Sequence, residues 1–188
     1  QRDGRLVALP VDCSASCLGV NEKALEKLGL TLEDVPANWS DFLDFLINDL
    51  PGRWPSDGSV TFTYDGMDVE NVRWQLFYMI FEDYQNYVNA TMDVPSYNTE
   101  LLRSLMDKLD RIDFQTLGLE EASDDGSIGT FTYGGDDGGT QLFEMGVNAN
   151  LGPYYTTSTP VLMSMDADTE PVFAVRLSVA FVNPFSEH

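Results

Sequence analysis

The spacing of apolar positions changes along the chain, and each change marks an element. Leu6 to Val11 is a mostly apolar run and predicts a buried strand, with Cys17 to Val20 as a second. From Glu22 the period lengthens. Ala24, Leu25 and Leu28 share one helical side, and Gly29 stands where a C-cap closes the helix. Asn38 is placed to cap the next helix, with Asp41 three residues on in the capping-box position. Phe42, Leu43, Phe45, Leu46 and Leu50 form its apolar face, which Pro51-Gly52 ends.

Residues 52–66, rich in Gly, Pro, Ser and Asp, predict a loop, with a short strand at Val60 to Tyr64. Asp68 can cap a long helix to about Asn86, in which Val69, Val72, Leu76, Phe77, Ile80 and Tyr84 recur near helical spacing. Tyr97-Asn98-Thr99 opens a helix carrying Leu101, Leu102, Leu105, Met106, Leu109 and Ile112. Its Asp107, Lys108, Asp110 and Arg111 form the solvated side. Asp124 to Gly139 has the least ordered pattern. Thr140 to Met145 then reads as a short helix, and Val147 to Leu151, Pro160 to Met165 and Val172 to Val182 as strands. Strands and helices mixed in this order predict an α/β layer, with a mixed sheet flanked by helices.

Composition narrows the function classes. Hydrophobic residues make up 43% of the 188 positions and aromatics 12%, enough for one sizeable core in one domain. The formal charge is −21, from 31 acidic and 10 basic residues. Such a field repels phosphate backbones and anionic lipid, so no nucleic acid partner is expected. No run approaches the roughly 20 apolar residues of a membrane span.

Cys13 and Cys17 are too few for a disulfide-stapled scaffold. In an extended strand their Cα atoms would stand about 13 Å apart, outside bonding reach. In a helical turn or tight bend they could approach bonding distance; two unbridged, partly buried thiols are the expectation. The single histidine, His188, is the last residue, which excludes a Cys/His zinc site and removes the commonest general base. The Asp/Gly-rich stretch at 124–139 does not match the EF-hand spacing and reads as an acidic loop. There is no G-x-S-x-G, P-loop or GxGxxG. No metal, cofactor or enzymatic activity is expected.

Three segments carry a family resemblance. The first is Gly4-Arg-Leu-Val-Ala-Leu-Pro-Val-Asp12, followed by Leu18-Gly-Val-Asn21, Leu25-Glu-Lys-Leu-Gly-Leu30 and Val35-Pro-Ala-Asn-Trp39. The second is Leu142-Phe-Glu-Met-Gly-Val-Asn-Ala-Asn-Leu-Gly-Pro-Tyr154, and the third is Phe181-Val-Asn-Pro-Phe-Ser186. In order and spacing they resemble the extracellular solute-binding proteins of ABC importers, of the maltose-binding-protein-like kind. Departures include Val7 and Val20 where tyrosine is common, Asn38 for Thr, Asn150 for Met and Tyr154 for Trp.

The resemblance implies one lobe of a periplasmic-binding-protein-like fold of type II. Residues 1–188 would form a single α/β lobe, the second of two, entered through a hinge strand at Leu6 to Asp12. The first lobe and the C-terminal helices would lie outside the chain. It further implies a monomeric, extracytoplasmic capture subunit, lipid-anchored in the full-length protein, which binds a sugar or oligosaccharide and delivers it to membrane permease subunits. A surface glycan-binding, lectin-like module is the other reading.

Five residues are candidate ligand contacts. Tyr154 and Tyr155 follow Gly152-Pro153, where a turn could present rings for a sugar's C–H face. Trp74 lies in the long helix and reads as core or as ligand contact. Trp54, in a Gly-Arg-Trp-Pro loop, reads equally as a cleft-rim contact or a surface plug. Asp12, after the hinge strand, could accept hydrogen bonds from ligand hydroxyls or an amine, or brace its own turn. Trp39, at a helix start, is expected to pack.

Overall fold

The computed structural model describes residues 9–64, 67–121, 141–149 and 158–180. Five strands and four α-helices are distributed over them: β1 (Leu9–Ser14), β2 (Ser16–Val20), α1 (Glu22–Lys27), α2 (Trp39–Asp44), α3 (Val69–Thr91), α4 (Glu100–Asp110), β3 (Phe143–Asn148), β4 (Thr159–Val161) and β5 (Arg176–Ala180). The chain is a mixed α/β structure whose strands form two small antiparallel sheets, one ordered β3–β2–β4 and the other a β1–β5 ribbon.

Asn38 and Asp68 cap the helices that their positions predicted, and Asn21, not singled out from sequence, does the same for α1. Asn21 accepts from the Lys23 and Ala24 amides and opens α1, which Gly29 closes at a φ of 69°. Asn38 accepts from the Asp41 amide at 2.8 Å while its own amide donates to the Asp41 carboxylate. Asp68 and Thr99 cap α3 and α4 in the same manner. After α2 the chain widens into a π-turn over Phe45–Asp49 and tightens into a 3₁₀ turn at Pro51–Arg53. Phe42, Leu43, Phe45, Leu46 and Leu50 are all buried along this stretch.

The core lies between the β2-centred sheet, α2 and the inner face of α3. Trp39, Phe42, Phe62, Phe114 and Phe143 are buried at its centre and contact one another edge to face. From α3, Val69, Val72, Leu76, Ile80, Tyr84 and Val88 complete it, as the helical spacing requires. α4 runs antiparallel beside α3: Arg73 donates to the carbonyls of Leu109 and Ile112, and the Tyr84 hydroxyl to that of Ser96. Among the described residues no helix is long and apolar enough to cross a membrane.

Several expectations are corrected. The described strand pairs are antiparallel, not a mixed sheet, and parallel contact is confined to the isolated bridges Asn38–Ser164 and Thr61–Gln141. β1 is exposed rather than buried, with Val11 61% accessible, because its partner is the outlying β5 and not the core sheet. Residues 143–145 are strand, not helix, since β3 pairs with β2 from Phe143 onward. α3 outlasts Asn86 and ends at Thr91. Val60 to Tyr64 makes only a bridge at Thr61. Lys108 is not on a solvated side: its ammonium lies 2.6 Å from Asp44 and bonds to Ser40, tying α4 to α2. Neither cysteine forms a disulfide; Cys17 is buried but Cys13 is exposed. The expectations for 124–139 and for residues 1–8 lie outside the described residues.

Gly19 sits where β2 is pressed between its neighbours. A Cβ built there meets the Ser158 Cβ at 2.8 Å and the Glu144 Cβ at 3.2 Å. Gly19→Ala is therefore expected to cost about 1–3 kcal/mol in urea denaturation. Gly52→Ala, which meets nothing within 4 Å, should stay within about 0.5 kcal/mol of the parent.

Candidate functional site

Segments distant in sequence meet at the base of the β1–β5 ribbon. The link from β1 to β2 brings Ser14, Ala15 and Ser16, the flank of α3 brings Glu82, and β3 brings Gly146. Ala174, Val175 and Arg176 come from the approach to β5. Together they line an open depression of about 500 Å³, the size of a small-molecule site. Gly146 adopts a φ of 74°, and a Cβ there would stand 3.4 Å from the Ser16 hydroxyl. The left-handed turn of β3 and the close approach of the link both favour glycine at this point. The Ala149 amide donates to the Ala15 carbonyl at 2.8 Å and anchors the link from the other side.

A smaller recess adjoins the depression and shares Ser16 with it; Cys17, Asp83, Met163 and Phe173 are among its walls. Asp83 projects from the buried side of α3 and accepts a 2.8 Å hydrogen bond from the Trp39 indole N–H. Burial pushes its carboxyl up to about 7; the Trp39 bond acts in the opposite direction, and adjacent Glu82 adds to the rise. Burial likewise pushes the Cys17 thiol up to about 11, helped by the charges of Asp83 and Glu144. Cys17 thus stays protonated at neutral pH and points its S–H at the Val147 carbonyl, 3.4 Å away. Glu144 accepts from the Tyr64 hydroxyl at 3.0 Å.

Hydroxyls from Ser14 and Ser16, a carboxylate from Glu82 and a guanidinium from Arg176 thus face one opening beside the apolar Val175. This set can hydrogen-bond a polar, uncharged solute from both donor and acceptor sides. Among the described residues no group of three or more His, Cys, Asp or Glu side chains is arranged to hold a metal ion.

The candidate residues named from sequence are dispersed. Asp12 is exposed on β1, opposite Ser178 and two positions before Ser14 of the depression. Trp54 packs at the core's edge, 6.4 Å from the Phe62 ring, with its indole nitrogen 2.8 Å from where a Gly118 Cβ would be. Trp74 is half exposed in a separate groove between α3 and α4. Tyr154 and Tyr155 lie outside the described residues. Trp39 packs, fully buried, as expected.

Sequence reading missed Ser16, Glu82, Asp83, Gly146 and Arg176. Two carried a signal. Asp83 is three residues from Ile80 and seven from Leu76, an acid on an apolar helical stripe. Arg176 is the one charged residue within the apolar run from Val172 to Val182. Against protein-family models, curated proteins and solved structures, the chain finds no match.

Asp83 makes stability pH-dependent in a definite direction. Its folded pKa is raised, so the stabilisation it allows is complete below pH 3.8 and is lost as pH climbs to about 7. Asp83→Asn keeps an oxygen for the Trp39 N–H and removes the titration. The variant should be more stable than the parent at pH 8 by on the order of 2 kcal/mol, with the gap closing towards pH 4. Urea denaturation of both proteins across that range measures it; a constant gap would exclude the assignment.

Proposed function

We propose that this chain supplies one lobe of a solute-capture subunit of an ABC importer, holding a sugar or oligosaccharide in a cleft between two lobes. The observation that carries the reading is the β1–β5 ribbon. The first and last described strands run antiparallel side by side, with Leu9 opposite Ala180 and Ser14 opposite Arg176. Chain entering and leaving a lobe through paired neighbouring strands is what a two-stranded hinge requires. Apolar side chains on the ribbon, among them Leu177 at 55% exposure, are the surface an adjoining lobe would cover.

The depression lies at the foot of that ribbon, where a second lobe would close over it. In this reading Asp12, Ser14, Ser16, Glu82 and Arg176 meet the solute's hydroxyls, and Tyr154 and Tyr155, outside the described residues, stay the candidates for its apolar face. Closure is driven by contacts available to the ligand only when both lobes engage it. The partners are membrane permease subunits, and the setting is extracytoplasmic with a lipid anchor on the full-length protein.

Calorimetry separates the outcomes. A protein containing both lobes should bind a sugar from a broad panel at micromolar Kd or tighter, and these 188 residues alone should bind it at least about a hundredfold more weakly. Glu82→Ala and Arg176→Ala in the two-lobe protein should each weaken binding about tenfold. Full-strength glycan binding by the isolated chain would instead favour a self-contained lectin-like module. Absence of binding to sugars by the two-lobe protein would remove the carbohydrate assignment.

A further inference from the structure

The groove holding Trp74 is separate from the depression and has a different chemistry. It is a furrow of about 350 Å³ between the antiparallel helices α3 and α4. Phe77, Met106 and Leu109 form its apolar lining, and the half-exposed Trp74 stands at its side. Trp74 also lies 5.6 Å from the exposed ring of Tyr78, tilted by 30°. The apolar track continues past the furrow, with Phe77 stacked on Phe81 and Phe81 on Tyr97. From Trp74 to Phe81 it runs roughly 10 Å along α3, about two helical turns.

The polar groups at this groove identify what can lie in it. Glu70 and Asp110 are exposed at its rim, and Glu70 has no ion-pair partner among the described residues. Arg73 is committed elsewhere: its guanidinium donates to the Leu109 and Ile112 carbonyls, lies over the Phe114 ring and is 3.8 Å from Asp110. The furrow therefore lacks the convergent donors that a sugar's hydroxyls need. An apolar floor with an acidic rim, on a chain of charge −21, is complementary to an apolar stripe flanked by cations.

We infer that the α3–α4 groove docks a basic amphipathic helix of a partner protein. Apolar side chains at helical spacing fill the furrow and cover Trp74 and Tyr78, and Lys or Arg beside them meet Glu70 and Asp110. This interaction is independent of the solute site and does not require a second lobe.

The probe is a synthetic Leu/Lys helix of about four turns with leucines on one face, compared with a scrambled peptide of equal composition and a Leu/Glu analogue. Near physiological salt the Leu/Lys helix should bind at micromolar Kd and shift Trp fluorescence to the blue. Trp39 is fully buried and Trp54 partly so, which makes Trp74 the reporter. Trp74→Phe should remove the shift while keeping most of the binding. The exposed pair Glu70→Lys and Asp110→Lys should weaken binding about tenfold or more with the thermal midpoint retained. Equal binding of the scrambled peptide, or unchanged binding by the charge-reversed pair, would overturn the inference. So would a Trp74 fluorescence response to oligosaccharides with none to the Leu/Lys helix.

Discussion

The structure depends on a run of edge-to-face aromatic contacts through its centre. Trp39 meets Phe42 at 5.9 Å, Phe42 meets Phe143 at 5.3 Å, Phe143 meets Phe62 at 5.2 Å, and Phe62 meets Phe114 at 5.8 Å. Each ring belongs to a different part of the chain or a different turn: the start and middle of α2, β3, the loop before α3 and the 3₁₀ turn after α4. Ring edges carry partial positive charge and ring faces partial negative, so the preferred contact fixes angle as well as distance. Apolar burial alone would tolerate sliding of α2 over the sheet. These crossed rings give the packing an orientation.

Trp39 also connects that centre to the candidate site. Its backbone amide donates to the Ser164 carbonyl and its indole to Asp83. One residue thus sets the start of α2, the bridge at Asn38 and the position of a half-buried acid beside the depression. The cost of burying the carboxyl is carried in its raised pKa. Glu82, one position along α3, points away to the depression and keeps its exposure. Adjacent acids on one helix are thereby given different environments by a rotation of about 100°.

Much of the helical architecture was legible in the sequence, because caps act through neighbours a few residues away. Asn38, Asp68, Thr99 and Gly29 perform the local roles that their chemistry predicts. Strand assignments fared less well, since pairing is decided by distant partners. Thr140 to Met145 reads locally as a short helix, but pairing with β2 makes it strand from Phe143 onward. The run from Val172 to Val182 reads as a long, largely apolar strand; the described strand is Arg176–Ala180, and it is exposed on every residue. Asp12 and Trp74 were singled out by their place in the resemblance and Trp54 as a loop aromatic, but each takes its surroundings from a different element. Glu82 and Arg176 share the depression through long-range topology, which no local pattern encodes.

The ribbon also orders events in time. Leu9 and Ala180 are partners at opposite ends of the described chain, so β1 leaves the ribosome long before anything exists for it to pair with. The core sheet has a similar delay, since β2 pairs with β3 and β4, but β2 is buried from Cys17 to Val20 whereas β1 is exposed from Val11 to Cys13. β1 has no such shelter. Closing so long a loop is entropically costly and slow, and until it closes, β1 presents unpaired backbone to any strand that passes. The element synthesised first among those described thus depends for its pairing on the one synthesised last.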